Sequence, residues 1–295
     1  MKKHNLLTIA TLAAAAFAIP FVSSCKDDPE PEPPIGGGGY TSSDEVAKDN
    51  LVAKFSFEGN MDDAKGNITG GSSENVSFGA GAKGQAFQGA ANGYALYSSV
   101  SSAISGLQSV TVSTWVKTSA HTSGAESWFQ LLNDSNWIGN MFILQESGTP
   151  GNDSTRIKFT VNNWDAPAWK EQWMDLGGEN RMVIGDDMWH HVACSYDAAS
   201  SMAAFYVDGV KMNLPDGVTK RYGSDPTAGG EGLGALSFKN ATRFVFGCYK
   251  QSLPGGTPDG WMMNYDSGLD EFRIYNKALA DADVKALYDL EKGGK

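Results

Sequence analysis

The stretch with the most chemistry in it is NNWDAPAWKEQW, residues 162–173. Three indoles, Trp164, Trp169 and Trp173, are interleaved with short polar side chains, and Pro167 interrupts any regular element among them. An indole offers a wide apolar face and one N–H, so it works while partly exposed. Sugar rings present C–H faces to such a surface, and Asn163 and Asp165 are of the type that bonds the hydroxyls around them. Apolar surface with a few placed polar groups is what a glycan platform requires. Trp137 and Trp261, also set beside Asn, Gly and Asp residues, extend the same chemistry. The alternative is a long loop that packs its rings into a small core of its own.

Catalytic and metal signatures are sparse. No G-x-S-x-G, H-E-x-x-H or P-loop spacing occurs. His190 and His191 are adjacent, and neighbouring strand residues face opposite ways, so the two do not readily chelate one ion. Carboxylates that converge from distant loops stay invisible at this level.

The elements that must position these residues are strands. In MWHHVACSYDAASSMAAFYVDGVK, residues 188–211, Val192, Cys194 and Tyr196 alternate with His191, Ala193 and Ser195. That is the two-residue period of a pleated ribbon. A short polar run reverses the chain, a second alternating segment follows, and Asp208-Gly209 signals a hairpin. Similar segments are predicted at 51–57, 93–98, 109–117, 127–133, 141–145, 156–162, 190–196, 202–207, 243–247 and 268–275, with one helix over 281–292. Trp115 lies in an apolar stretch with Val110 and Val112 and is assigned to the core. Two excursions, 153–187 and 213–240, look longer than a compact sandwich needs, and long loops often carry function.

The meander resembles the laminin-G-like jelly roll of the concanavalin A-like lectin and glucanase superfamily, whose pattern runs W-H-H-V-A, Y-D, then Y-V-D-G. The segments LVAKFSFEGN (51–60), GQAFQG (84–89), VTVSTWVK (110–117) and GLDEFRIYN (268–276) resemble further pieces of that family in the right order. The resemblance covers about residues 51–290. It implies an all-β fold: an antiparallel two-sheet jelly-roll sandwich with a short C-terminal helix. Family members usually place Ser at the helix cap, where this chain has Ala280. Members with laminarinase-type activity carry E-x-D-x-x-E on one strand, a spacing not found here. Many members hold a structural Ca²⁺ where the first turn meets the closing strand. That implies Glu58, Asn60 and Asp270 as ligands, with Glu58 standing where the family has Asp.

Residues 1–24 place Lys2 and Lys3 before an apolar run, the layout of a secretory signal. Val22-Ser-Ser-Cys25 resembles the lipobox of bacterial lipoproteins, which implies cleavage and acylation at Cys25. Lys26-Asp27-Asp28 resembles an export signal for outer-membrane lipoproteins that face the cell exterior. Residues 25–45, rich in Pro and then Gly, read as a tether, and 46–295 as one jelly-roll domain. The net charge of −11 argues against nucleic acid and anionic membrane surfaces as partners, leaving lipid as the membrane link. Cys194 and Cys248 either pair or stay buried as thiols.

The best reading is a surface-anchored, non-catalytic carbohydrate-binding or adhesion lipoprotein whose partner is a polysaccharide or other glycan. The alternatives are a glycoside hydrolase or polysaccharide lyase on the same fold, or a structural protein-interaction subunit of an outer-membrane assembly.

Overall fold

Alternating segments of this composition bury one set of side chains and hydrogen-bond sideways, and they do so here in two sheets. The computed structural model describes residues 39–295. The first sheet has the order β14 (Val210–Lys211), β13 (Met202–Val207), β12 (Asp186–Asp197), β6 (Val110–Ser119), β17 (Gly268–Tyr275), β4 (Gln85–Gln88) and β3 (Ser77–Ala80). Strand β1 (Leu51–Phe55) pairs with the second half of β17, beyond the residues that meet β4. The second sheet runs β10 (Glu171–Leu176), β9 (Ser154–Asn162), β8 (Asn136–Thr149), β7 (Ala125–Asn133), β15 (Phe244–Phe246), β5 (Tyr94–Val100) and β2 (Ile68–Glu74). Strand β11 (Met182–Val183) joins β9, and β16 (Met262–Asn264) joins β7 as a parallel pair. All other pairs are antiparallel, so the predicted two-sheet sandwich is the observed one.

Aromatic rings fill the space between the sheets. Phe246 lies 4.8 Å from Phe272 and 5.0 Å from Phe55, both edge-on, and Phe129 stacks 5.5 Å from Phe244. Removing one such ring costs about 3–5 kcal/mol in a core that does not collapse around the gap.

The outer face of the first sheet carries a second core. Strand residues Ala193, Tyr206 and Tyr275 pack against Val284, Leu287 and Leu290 of the C-terminal helix, Asp281–Lys292. Trp115 is buried as expected, but on this outer face rather than between the sheets. Its Nε1 donates to Glu291 at 2.8 Å, and its ring stacks 5.6 Å from Tyr288. Arg273 donates to Glu291 at 2.9 Å, to Glu271 at 2.6 Å and to Asp44 at 2.8 Å. Burial raises the Asp44 carboxyl, but Lys54 and Arg273 outweigh it and hold it at about 2. Tyr40 also reaches the helix, donating to Asp283 at 3.0 Å. Tyr40, Ser43 and Asp44, read from the sequence as tether, make contacts with the folded body: Ser43 and Asp44 accept from Arg273, and Tyr40 donates to Asp283.

Several strands depart from the expected ranges. The first ends at Phe55, because Phe57 takes φ +53 and breaks the extended run while its ring stays buried. Strand β2, ITGGSSE, has almost no buried side chain and so no alternation to read. The excursion 153–187 is largely strand, since β10 and β11 both pair with β9. The excursion 213–240 is irregular apart from single turns at Asp216–Thr219 and Pro226–Ala228. Cys194 and Cys248 are both free and buried, one between the sheets and one on the far face of the second sheet. Among the described residues no helix is long and apolar enough to cross a membrane.

The helix begins at Ala280 with extended φ and no side-chain cap bond. Its acids Asp281 and Asp283 are engaged with Tyr206 and Tyr40 instead. Ala280→Ser restores an acceptor for the orphan N–H groups and should stabilise the protein by about 1 kcal/mol. In a body of this size that is a rise of roughly 2–4 °C in Tm, read by calorimetry.

Candidate functional site

Strand β10 sets the geometry. Its Met174 and Leu176 face the central core, so Trp173 points to the outer face of the second sheet. There it meets Phe142 edge-on at 5.3 Å and Trp137 at 6.1 Å. Trp137 meets Trp261 at 6.0 Å, and Trp261 packs against Tyr249 at 5.6 Å. Beneath them lie Ala125, Ile138, Phe142 and Leu144, all buried. Trp137 and Trp261 remain 40% and 41% exposed, so the row Trp173–Trp137–Trp261 presents indole surface to solvent.

The row is held from below. Gln130 donates to the Trp137 carbonyl at 2.9 Å. Lys250, whose pKa is lowered by burial, donates to the carbonyls of Asn133 at 2.8 Å and Asn136 at 3.2 Å. Asn136 in turn accepts from the Ile138 N–H at 2.9 Å. Beside the row, Glu146 and Asp175 are tied to Arg156 and Lys158, with Lys158 lying 5.7 Å from the Trp173 ring centroid. Burial opposes ionisation of Asp175, but Arg156 and Lys158 prevail and keep its pKa below the usual carboxylate value.

The three rings expected to form one platform take three positions. Trp173 is in the row. Trp164 is half-buried against the same outer layer; its Nε1 donates to Asn140 at 2.8 Å, and it lines a shallow hollow of about 320 Å³ with Asn133, Asn136, Lys170 and Asn240. Trp169 faces a different hollow, beside Lys220, Arg221 and Tyr222. The polar partners expected for hydroxyls are spent within the loop. Asn163 is 8% exposed, donates to the Leu233 carbonyl and accepts from the Asp165 N–H. Asp165 pairs with Lys239 and Ser237. Both serve as loop fasteners, Asn163 buried and Asp165 at the exposed surface.

The expected calcium ligands are likewise engaged. Asp270 is buried; its carboxylate accepts from the N–H groups of Lys83 at 2.9 Å and Glu271 at 2.8 Å. Glu58 accepts from Gln85 N–H at 3.1 Å, and Asn60 closes its own turn on Asp62 at 3.0 Å. Among the described residues no group of three or more carboxylate, histidine or cysteine side chains converges. Each of these three side chains braces a backbone turn.

His191 is fully buried against Ser113, while His190 bonds Asp208 and Asp186 at the other face. Cys25 lies outside the described residues.

A family model for the concanavalin A-like lectin/glucanases superfamily matches residues 88–245, just over half of the chain. The chain belongs to that superfamily. Among solved structures, this superfamily member is similar to domain 4 of AbnA, a GH43 extracellular arabinanase from Geobacillus stearothermophilus, solved with arabinotriose: 20% identity, TM-score 0.51, covering 81% of this chain and 98% of that one. It is also similar to the binding domain of botulinum neurotoxin DC in complex with SialylT, at 14% identity and TM-score 0.54. The serotype C1 neurotoxin binding domain gives 15% identity and TM-score 0.54. Here the coverage is 82% of this chain but 52% of either neurotoxin chain, so the superfamily domain spans about half their length. No curated protein matches the sequence.

Four buried acids, Glu126, Asp270, Glu271 and Glu291, are raised by burial and contribute to the pH response. Burial, with the charge of Asp266 added, raises the Glu126 carboxyl to about 8; burial raises Asp270 to about 8 against the opposing pull of the Lys83 N–H. Their ordinary values are 4.5 and 3.8, so above pH 6.5 the unfolded chain has lost these protons and the folded one keeps them. Stability must then fall as pH rises towards about 8. His190 adds in the same sense, since Asp208 raises its pKa, while His191, pushed down to about 4 by burial, opposes it only near pH 6.5, where the unfolded imidazole is still partly charged. Thermal unfolding should show Tm dropping between pH 6.5 and 8, and Glu126→Gln should flatten that drop.

Proposed function

We propose that the protein is a surface-anchored, non-catalytic carbohydrate-binding lipoprotein whose binding face is the outer surface of the second sheet. The single observation that carries this is the solvent-exposed indole row Trp173–Trp137–Trp261, braced from beneath by a buried apolar layer. Three linked rings of this span suit several consecutive sugar units, and Lys170 lies at the adjoining hollow where hydroxyls would need partners. Two similar structures support the reading, since one was solved with arabinotriose and the other in complex with SialylT. Lipid attachment at Cys25 would hold this face at the outer membrane, towards the exterior.

The row is tested by affinity electrophoresis against a panel of neutral polysaccharides, followed by single substitutions. Stacking on one aromatic ring is worth ~1–3 kcal/mol in the nearest measured analogue. Trp137→Ala and Trp261→Ala should therefore each weaken binding roughly 5- to 150-fold. Affinity for an uncharged glycan should change little with salt. Folded variants that keep full affinity would refute the row.

The anchor has its own check. Cys25→Ser should move the protein from the membrane fraction to the soluble fraction, and a variant that still sediments with membranes would overturn the assignment.

A further inference from the structure

A hollow of about 390 Å³ opens beside the edge strand β10, walled by Trp169, Gln172, Lys220, Arg221, Tyr222 and Pro226. Its chemistry differs from that of the indole row. Trp169 is 46% exposed and gives the hollow an open ring face. The Lys220 ammonium sits 5.3 Å from the Tyr222 ring centroid.

Arg221 is locked in place by backbone. It donates from Nε to the Lys220 carbonyl at 2.7 Å, from Nη1 to the Trp173 carbonyl at 3.0 Å and from Nη2 to the Gly217 carbonyl. A guanidinium has five N–H groups, so two remain for a ligand. Neither Arg221 nor Lys220 makes an ion pair with a carboxylate among the described residues. Elsewhere the cations Arg156, Lys158, Lys239, Arg243 and Arg273 all do. Burial lowers the Arg221 pKa, as expected of a cation desolvated without an anion beside it. Asp216 is the one acid in the lining.

Two adjacent cations that form no close ion pair, with Asp216 acting on Lys220 only at longer range, are therefore set against two aromatic rings, in a protein of net charge −11 that otherwise repels anions. We propose that this hollow is a subsite for an acidic sugar residue, whose ring lies on Trp169 and whose carboxylate or sulfate meets Arg221 and Lys220. The paired rings favour a saccharide over an acidic peptide, because a carboxylate side chain alone would leave the Trp169 face unused. The inference rests on the general reading that this chain binds saccharide, but not on the indole row.

The test is isothermal titration at low and high salt with an oligogalacturonate, a sulfated oligosaccharide, a neutral oligosaccharide of equal length and oligoglutamate. One of the two acidic saccharides should bind more tightly than the neutral one, and which of them does identifies the anion. That advantage should shrink at high salt. Lys220→Gln should reduce it about fivefold, the weight of one charge pair in water, and Trp169→Ala by about fivefold or more. Equal affinity for acidic and neutral sugars, an advantage that both variants retain, or oligoglutamate binding as tightly as the sugar would each overturn the subsite. Neutral binding with no acidic advantage sinks the subsite alone. Acidic binding with no neutral binding sinks the indole row alone, and no binding at all sinks both.

Discussion

Both sheets of this sandwich are apolar on two faces, and each outer face has to be dealt with separately. The inner faces share one aromatic core. The outer face of the first sheet is closed by the C-terminal helix and the segment from Tyr40 to Val46. The outer face of the second sheet has no helix. Loops cover part of it, with Leu253 over Leu132 and Val245, and the remainder ends in indoles that stay half in solvent. The difference between a sealed face and an open one separates scaffold from binding surface.

Sealing the first face takes a charge as well as an apolar helix. Arg273 is wholly buried between Glu271, Glu291 and Asp44. A buried ion cluster gains little net stability, because desolvation offsets most of the Coulomb attraction. What it does supply is uniqueness: sliding the helix by one turn would strand Glu291 and deprive Arg273 of one of its three carboxylates, at a cost of several kcal/mol. The same cluster recruits the N-terminal segment, which carries too few apolar residues to define its own seat. The chain ends of the domain are thus set by one cation.

Much of this was legible in the sequence and the rest was hidden for physical reasons. Strands with one face in the core announce themselves by alternation, as β12 and β13 do, and the helix over 281–292 follows from its apolar spacing. Strand β2 carries no such signal because its side chains face water. Strand β10 did carry it: Gln172, Met174 and Leu176 alternate with Glu171, Trp173 and Asp175. The density of indoles and the nearby Pro167 mask that alternation as a loop. Candidate ligands were harder to judge. Asn163, Asp165, Glu58 and Asp270 have the right chemistry for hydroxyls or calcium, yet backbone N–H groups, Lys239 and Ser237 claim them first. Residue type says what a group can bond, and only the fold says what is left unbonded.

That distinction also explains why Trp137 and Trp261 matter more than their neighbours. A Trp turned inwards contributes area to a core and usually pairs its N–H, although the wholly buried Trp128 does not. Trp115 and Trp164 follow that rule, donating to Glu291 and Asn140. Trp137 and Trp261 leave about two-fifths of their surface in water while resting on a layer that is itself fully buried. Folding alone gains nothing from presenting those ring faces to solvent, whereas ligand burial would recover it, at ~25 cal/mol for each Å² of apolar surface covered. Gln130 and Lys250 restrict the backbone that carries Trp137, so a ligand meets a surface that is already ordered, and little ordering entropy remains to be lost on binding. An open apolar row with a rigid foundation is thereby a surface shaped for an occupant outside the chain.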